Sequence, residues 1–164
     1  MNNFMNLDFN QILARCMEYH QWQQATDGYY IGDQDDVMEL FIPKFKHTSD
    51  FEYHGIYLDY HHRTIGTRLI GTEIILEKPV FDLNNAVLLA LMFNTRAVII
   101  VHNHPGPTAY PNPEEIKETK KLKTILKMLN ICLIDHLIIS SVQKYHYFSF
   151  ANDDAGLTGF NEIL

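Results

Sequence analysis

Apolar residues recur at Phe9, Ile12, Leu13, Cys16 and Met17, the i, i+3, i+4, i+7, i+8 spacing of a helix with one apolar stripe. An amphipathic helix is expected there, and its stripe has to dock on something. Thr26 to Asp36 gathers Gly28, Gly32 and four Asp residues and reads as a solvated acidic loop without calcium-loop spacing. From Tyr53 the pattern turns to strands. Gly55 to Asp59 and Arg68 to Leu76, separated by the polar turn Tyr60 to Gly66, predict a hairpin. Asp82 is placed to cap a helix running to about Phe93, with Val87, Leu88, Leu91 and Met92 on its apolar face and Asn94 as a left-handed stop. Ala97 to Val101 is a β-branched run without polar alternation, the pattern of a strand covered on both faces at the centre of a sheet.

A proline-rich loop follows, and Leu122, Ile125, Leu126 and Leu129 then mark the core face of a helix from Pro113 to about Asn130. Leu133 to Ile139 and Tyr145 to Phe150 predict two further strands. The expected class is therefore mixed α/β (α+β), a single domain with a central mixed sheet flanked by helices. A composition change near Pro43 to Ser49 divides the chain into a helical, acidic extension over residues 1–47 and a domain over 48–164.

Charge and cysteine content narrow the chemistry. The 164 residues carry 13 Lys and Arg against 20 Asp and Glu, a formal net charge of −7, which weighs against a general nucleic-acid binder. DNA contact would then need a local basic patch. Lys117, Lys120, Lys121, Lys123 and Lys127 on the helix after Pro113 supply one, either as a solvated face or as a surface for an acidic partner. Apolar runs fall short of a membrane span and the N-terminus lacks an apolar signal segment, so no membrane partner and a cytoplasmic location are expected. Cys16 and Cys132 are too few for a thiolate zinc cluster or a disulfide framework. Any metal has to rest on His and carboxylate.

His102-Asn103-His104-Pro105 sits where the buried run Ala97 to Val101 emerges. Two histidines at i and i+2 of an extended segment project to one face, so both imidazoles can reach one cation at about 2.0–2.1 Å. Pro105 removes a backbone donor and ends the strand, which predicts a site at the rim of the sheet. An open zinc site wants a third protein ligand, typically a carboxylate, and Glu115 in the first turn of the following helix is the candidate. Asn112-Pro113-Glu114-Glu115 is equally a helix start, with Asn112 as N-cap and Glu115 closing a capping box. The two roles compete for one carboxylate.

These residues resemble the RadC branch of the JAB/MPN (JAMM) metalloprotease-like family. That pattern runs His-x-His-Pro, with seven residues between the second His and a Ser, then an Asp three positions on; His102, His104, Asn112 and Glu115 occupy the corresponding places. Ala97 to Pro105 is similar to the family's Ala-Val-Ile-Leu-Ala-His-Asn-His-Pro run. Ile134 to Ile139 looks like its Leu-Asp-His strand and Ile56 to Asp59 like its Leu-Phe-Leu-Asp strand. The resemblance covers about Phe51 to Phe150 and implies a cytidine-deaminase-like architecture. It also implies Zn2+ held by two His and one carboxylate, a Glu acting as general base, the Ser as oxyanion donor, and hydrolysis of a peptide or isopeptide bond in a protein substrate. RadC proteins carry a traditional DNA-repair label, and a non-catalytic interaction or repair accessory module is the alternative.

Three positions depart from the pattern. Glu115 stands for Asp and adds a methylene; Asn112 stands for Ser and keeps an amide donor. The place of the general base falls on Phe51, with Glu52 one residue along. A one-residue offset in a strand turns a side chain to the opposite face, so Glu52 serves as base only if a bulge re-aims it, and Asp50 is the other near miss. Asp135 and His136 alternate on their strand; one of them can orient a ligating histidine, or His136 is a structural histidine. His54, His61 and His62 are expected at the surface. The apolar N-terminal stripe leaves room for a homo-oligomer.

Overall fold

The computed structural model describes residues 8–46, 48–72, 81–144 and 146–152. These form α1 (Phe9–Thr26), α2 (Gln34–Phe45), β1 (Glu52–Leu58), β2 (Thr64–Thr72), α3 (Leu83–Met92), β3 (Ala97–His104), α4 (Pro113–Met128), β4 (Cys132–Ser140) and β5 (Tyr147–Ser149). The strands make one mixed sheet in the order β2-β1-β3-β4-β5, in which β3 and β4 are parallel and the other neighbours antiparallel. The part of the expected second strand beyond Thr72, and Tyr145, lie outside the described residues.

Strand β3 is central because nothing along Ala97–Val101 tolerates water. Its residues alternate between two apolar layers. Val98 and Ile100 join Tyr53, Tyr57, Leu122, Leu126 and Ile138 under α3 and α4. Ala97, Ile99 and Val101 join Val37, Phe41, Phe45, Ile56 and Leu137 under α2. The same alternation carries His102 and His104 onto the α4 side and Asn103 onto the α2 side. The strand extends through His104, so both histidines are strand residues and His102 is fully buried, deeper than the expected rim position.

Helix α2 corrects the expectation of a solvated acidic loop. Asp33 is its N-cap and forms a capping box with Asp36, while Asp35 and Asp36 occupy the first turn, where carboxylates meet the positive end of the helix dipole. The acidic cluster is thus a helix start. Val37, Met38, Phe41 and Phe45 then face the sheet, so α2, within residues 1–47, shares a core with β1, β3 and β4. The family of contacts made by α1 is sparser: Gln23 donates to the Thr67 carbonyl, Leu69 N–H donates to Tyr19 Oη, and Thr26 is buried. Its apolar stripe stays exposed among the described residues, with Phe9 76% accessible.

His54 corrects a second expectation. It lies on the α2 side of β1, fully buried and ringed by Tyr19, Trp22, Phe41 and Phe45. Its Nε2 is 2.9 Å from Glu52 Oε2, which also takes the Lys44 ammonium at 2.9 Å, and Lys44 stands over the rings of Tyr19 and Trp22. Burial pushes the His54 imidazole down to about 4 against the pull of Glu52. Burial also works to raise Glu52, but the His54 hydrogen bond and the Lys44 charge outweigh it and hold the carboxyl at about 2.

A depressed folded-state pKa makes His54 a source of stability that is whole above its unfolded value and is lost as pH falls toward about 4. Thermal unfolding followed from pH 7 to pH 4 is expected to show a falling midpoint, with His54 responsible for a loss on the order of 3 kcal/mol. His54→Phe, which keeps the aromatic packing, is expected to flatten that fall; an unchanged slope would contradict the assignment.

Candidate metal centre

The end of β3, the loop after it and the first turn of α4 bring three ligand atoms together. Of the residues named from the sequence, His102, His104 and Glu115 converge, with one ligand atom of each within 4.8 Å of the others. Glu115 Oε1 lies 3.1 Å from His102 Nε2 and 3.0 Å from His104 Nε2. Its other oxygen, Oε2, accepts from the Asn112 N–H at 2.7 Å, while Asn112 Oδ1 accepts from the Glu114 and Glu115 N–H groups at 3.0 and 2.9 Å. The competition expected between capping and ligation therefore does not arise. One oxygen closes the helix and the other faces the histidines, a division that the longer Glu side chain reaches.

Burial opposes ionisation of both partners. It lowers His102 to about 4, outweighing the attraction of Glu115. Burial likewise works to raise Glu115, but its close contacts with the His102 and His104 rings and the Asn112 N–H prevail and hold its carboxyl below the usual range. The result is a neutral His102 beside an ionised carboxylate in a buried setting.

Tyr53 covers the cluster from β1, where it is the register partner of His102. Its ring stacks on the His102 ring at 4.2 Å and its hydroxyl donates to Glu115 Oε1 at 3.2 Å; burial, then the Glu115 charge, raises the phenol. Behind His102, its Nδ1 is 2.8 Å from His136 Nε2, and His136 Nδ1 is 2.7 Å from Thr119 Oγ1. His136 is thus the member of the Asp135-His136 pair that reaches the centre. Asp135 faces the other layer, bonded to Ser149 Oγ, the Ala151 N–H and Gln34.

Glu52 is not brought to the cluster. Strand β1 keeps unbroken register with β3 from Tyr53 to Leu58, and the irregularity opposite Tyr53 and His54 leaves Ile70 of β2 without a partner. No bulge re-aims Glu52, and its carboxylate stays with His54 and Lys44 on the far face. Phe51 occupies the near side, its ring edge-on to His104 at 5.6 Å. Asp50 offers its main-chain carbonyl to Asn103 Nδ2, and Asn103 Oδ1 takes the Glu52 N–H, tying the start of β1 to β3.

A family model described as RadC-like JAB domain matches residues 31–157. The chain belongs to this RadC-like JAB domain family. It is similar to a UPF0758 protein of Chloroflexus aggregans, 33% identical over 121 residues that are 73% of this chain and 52% of that protein. A UPF0758 protein of Finegoldia magna is 28% identical over 119 residues, 73% of this chain and 53% of the relative. The chain spans about half the length of these curated relatives.

As a RadC-like domain it retains the family's two histidines and carries Glu where the pattern has Asp. Two imidazole nitrogens and one carboxylate oxygen, gathered around one point with His102 held neutral and Glu115 held ionised, fit a divalent cation and suit zinc. The centre is built from the carboxyl-terminal residues of β3 and the amino end of α4, the end of the strand at which α/β sheets commonly place ligands. Sequence reasoning missed Tyr53 and Thr119. Each had a signal: Tyr53 alternates with the apolar residues of β1, and Thr119 stands four residues after Glu115 on one helix face.

The two oxygens of Glu115 are separable by substitution. Glu115→Gln keeps an acceptor for the Asn112 N–H and is expected to leave unfolding within ~1 kcal/mol while weakening zinc by at least ~10-fold. Asn112→Ala is expected to cost about 1 kcal/mol of stability and leave zinc affinity within ~3-fold. Denaturant melts and zinc titrations of both variants check this, and the opposite ranking would show that the oxygens do not divide the work.

Proposed function

We propose that this chain is a RadC-like domain that holds zinc at His102, His104 and Glu115 yet lacks a positioned proton acceptor. It then works as a metal-stabilised accessory module that contacts proteins, in preference to a competent hydrolase. The observation that carries this reading is the alternation of β1, which gives the cluster Phe51 and turns the Glu52 carboxylate to the opposite layer.

Zinc bound to such a ligand set supplies Lewis acidity and brings the pKa of its water toward ~7. Peptide or isopeptide hydrolysis also requires a carboxylate within hydrogen-bond reach to take the proton of the attacking water. Glu52 is engaged by Lys44 and His54, and Glu115 already uses both oxygens. Asn112 directs its side-chain carbonyl oxygen to the helix N–H groups, which leaves its amide nitrogen as the donor that an oxyanion could use. Tyr53 seals one side of His102 and restrains Glu115 through its hydroxyl. These contacts support a centre built for binding and rigidity.

Partners follow from the surface. The net charge of −7 argues against indiscriminate DNA binding and leaves the lysines of α4 as the basic contact for an acidic protein segment. No described helix is long and apolar enough to cross a membrane. A repair role remains an expectation of the family resemblance.

The purified protein is expected to bind about one zinc, and His102→Ala with His104→Ala to abolish binding. Zinc-loaded protein should then hydrolyse fluorogenic amide and isopeptide substrates no faster than that double variant. A His102- and His104-dependent rate in the native protein would replace this proposal with the hydrolase reading. Phe51→Glu returns a carboxylate to the near face and is expected to raise histidine-dependent hydrolysis, up to the ~10²–10⁴-fold that a positioned base contributes.

A further inference from the structure

A closed chain of hydrogen bonds behind the metal centre assigns protons that the ring positions alone leave open. Thr119, His102 and His136 are all fully buried. Thr119 Oγ1 lies 2.7 Å from the Glu115 main-chain carbonyl and 2.7 Å from His136 Nδ1, and His136 Nε2 lies 2.8 Å from His102 Nδ1. The hydroxyl has one proton, and the carbonyl oxygen can only accept. At this separation the proton has to lie between Thr119 and the carbonyl, because the reverse order would press two oxygen lone pairs together. Thr119 Oγ1 therefore accepts from His136, whose Nδ1 carries the hydrogen.

Both ring nitrogens of His136 are engaged by this chain, and its ring is held by Phe150 stacked at 4.8 Å and Phe81 at its edge. Burial in that aromatic setting favours a neutral ring with a single N–H. With hydrogen on Nδ1, His136 Nε2 is an acceptor, and His102 must donate to it from Nδ1. His102 Nε2 is then left with its lone pair pointing at Glu115 Oε1, 3.1 Å away. Two acceptors at that distance are brought into a favourable arrangement by a cation between them.

We propose that Thr119 and His136 are positioning residues that hold His102 in its Nδ1–H tautomer and so present Nε2 as the metal ligand. The proposal rests on the reading of His102, His104 and Glu115 as a metal centre. The helix that supplies the carboxylate thereby also sets the tautomer of the histidine opposite it. Glu115 and Thr119 are one turn apart on α4, and the bond from Thr119 to the residue-115 carbonyl fixes the hydroxyl direction.

The test uses the whole chain in three forms, native, Thr119→Val and Thr119→Ser. Long-range proton–nitrogen correlation spectra of the metal-free native protein are expected to show His102 and His136 as Nδ1–H tautomers. Zinc affinity, measured by competition with a chelating indicator, is expected to fall ~10–100-fold in Thr119→Val and to return within ~3-fold of native in Thr119→Ser. Circular dichroism of each variant reports folding, and the native spectrum decides the tautomer even if Thr119→Val does not fold. An Nε2–H His102 in the metal-free native protein, or a folded Thr119→Val that binds zinc as tightly as native, would overturn the relay. Failure of the native protein to bind zinc while its spectra show Nδ1–H would instead overturn the metal reading and leave the proton assignment standing.

Discussion

The carboxylate of Glu115 joins the two halves of the site, and its neighbours are arranged around that one group. Oε2 accepts the Asn112 N–H at the start of α4, and Oε1 faces His102, His104 and the Tyr53 hydroxyl. A helix that begins at the right place is therefore also a helix that delivers a negative charge to two strand histidines. Placing that charge in the first turn is favourable on its own, since it meets the positive end of the helix dipole and satisfies an otherwise orphaned N–H. A shorter Asp at this position would reach less far from the same backbone, so the family's Asp and this chain's Glu imply different relations between helix end and metal ligand.

The central sheet keeps two polar networks apart. On the α4 side, His102, His104, Glu115, Tyr53, His136 and Thr119 form one connected set. On the α2 side, Glu52, His54 and Lys44 form another, enclosed by aromatic rings. The period-two alternation of β1 and β3 decides which residue belongs to which. Glu52 and Tyr53 are neighbours in the chain and serve opposite layers. The Glu52 carboxylate is thus paired with His54 and Lys44 on one layer, and the layer that holds His102, His104 and Glu115 receives Phe51. A carboxylate this far out of water needs compensating partners, and Glu52 has both a histidine and a lysine.

Much of this was legible in the chain. The spacing of apolar residues identifies the helix carrying Glu115 and the strand Ala97 to Val101 that leads into His102 and His104, because helix and strand periods depend on local geometry alone. The capping signature at Asn112 to Glu115 was readable for the same reason. The start of α2 is hidden in the sequence because Asp33, Asp35 and Asp36 look alike as a solvated loop and as a capped helix terminus; only the packing of Val37, Phe41 and Phe45 on the sheet separates the two. The burial of His54 is not legible because a histidine carries no mark of burial, and the aromatic rings around it come from two separate elements, α1 and α2.

The sequence by itself determined which residues could bind a metal. Two cysteines removed thiolate chemistry, the His-x-His spacing put two imidazoles on one face, and strand alternation already set Glu52 against the position of the base. Only the tertiary structure decided that one carboxylate could cap a helix and meet both histidines, and that Tyr53, His136 and Thr119 would surround them. Those contacts join residues from β1, β3, β4 and α4, and their geometry depends on strand order, register and the return of the helix over the sheet. Local periodicity specifies the direction in which a side chain leaves its own element; what it meets there is set by the packing of elements that the chain brings together from a distance.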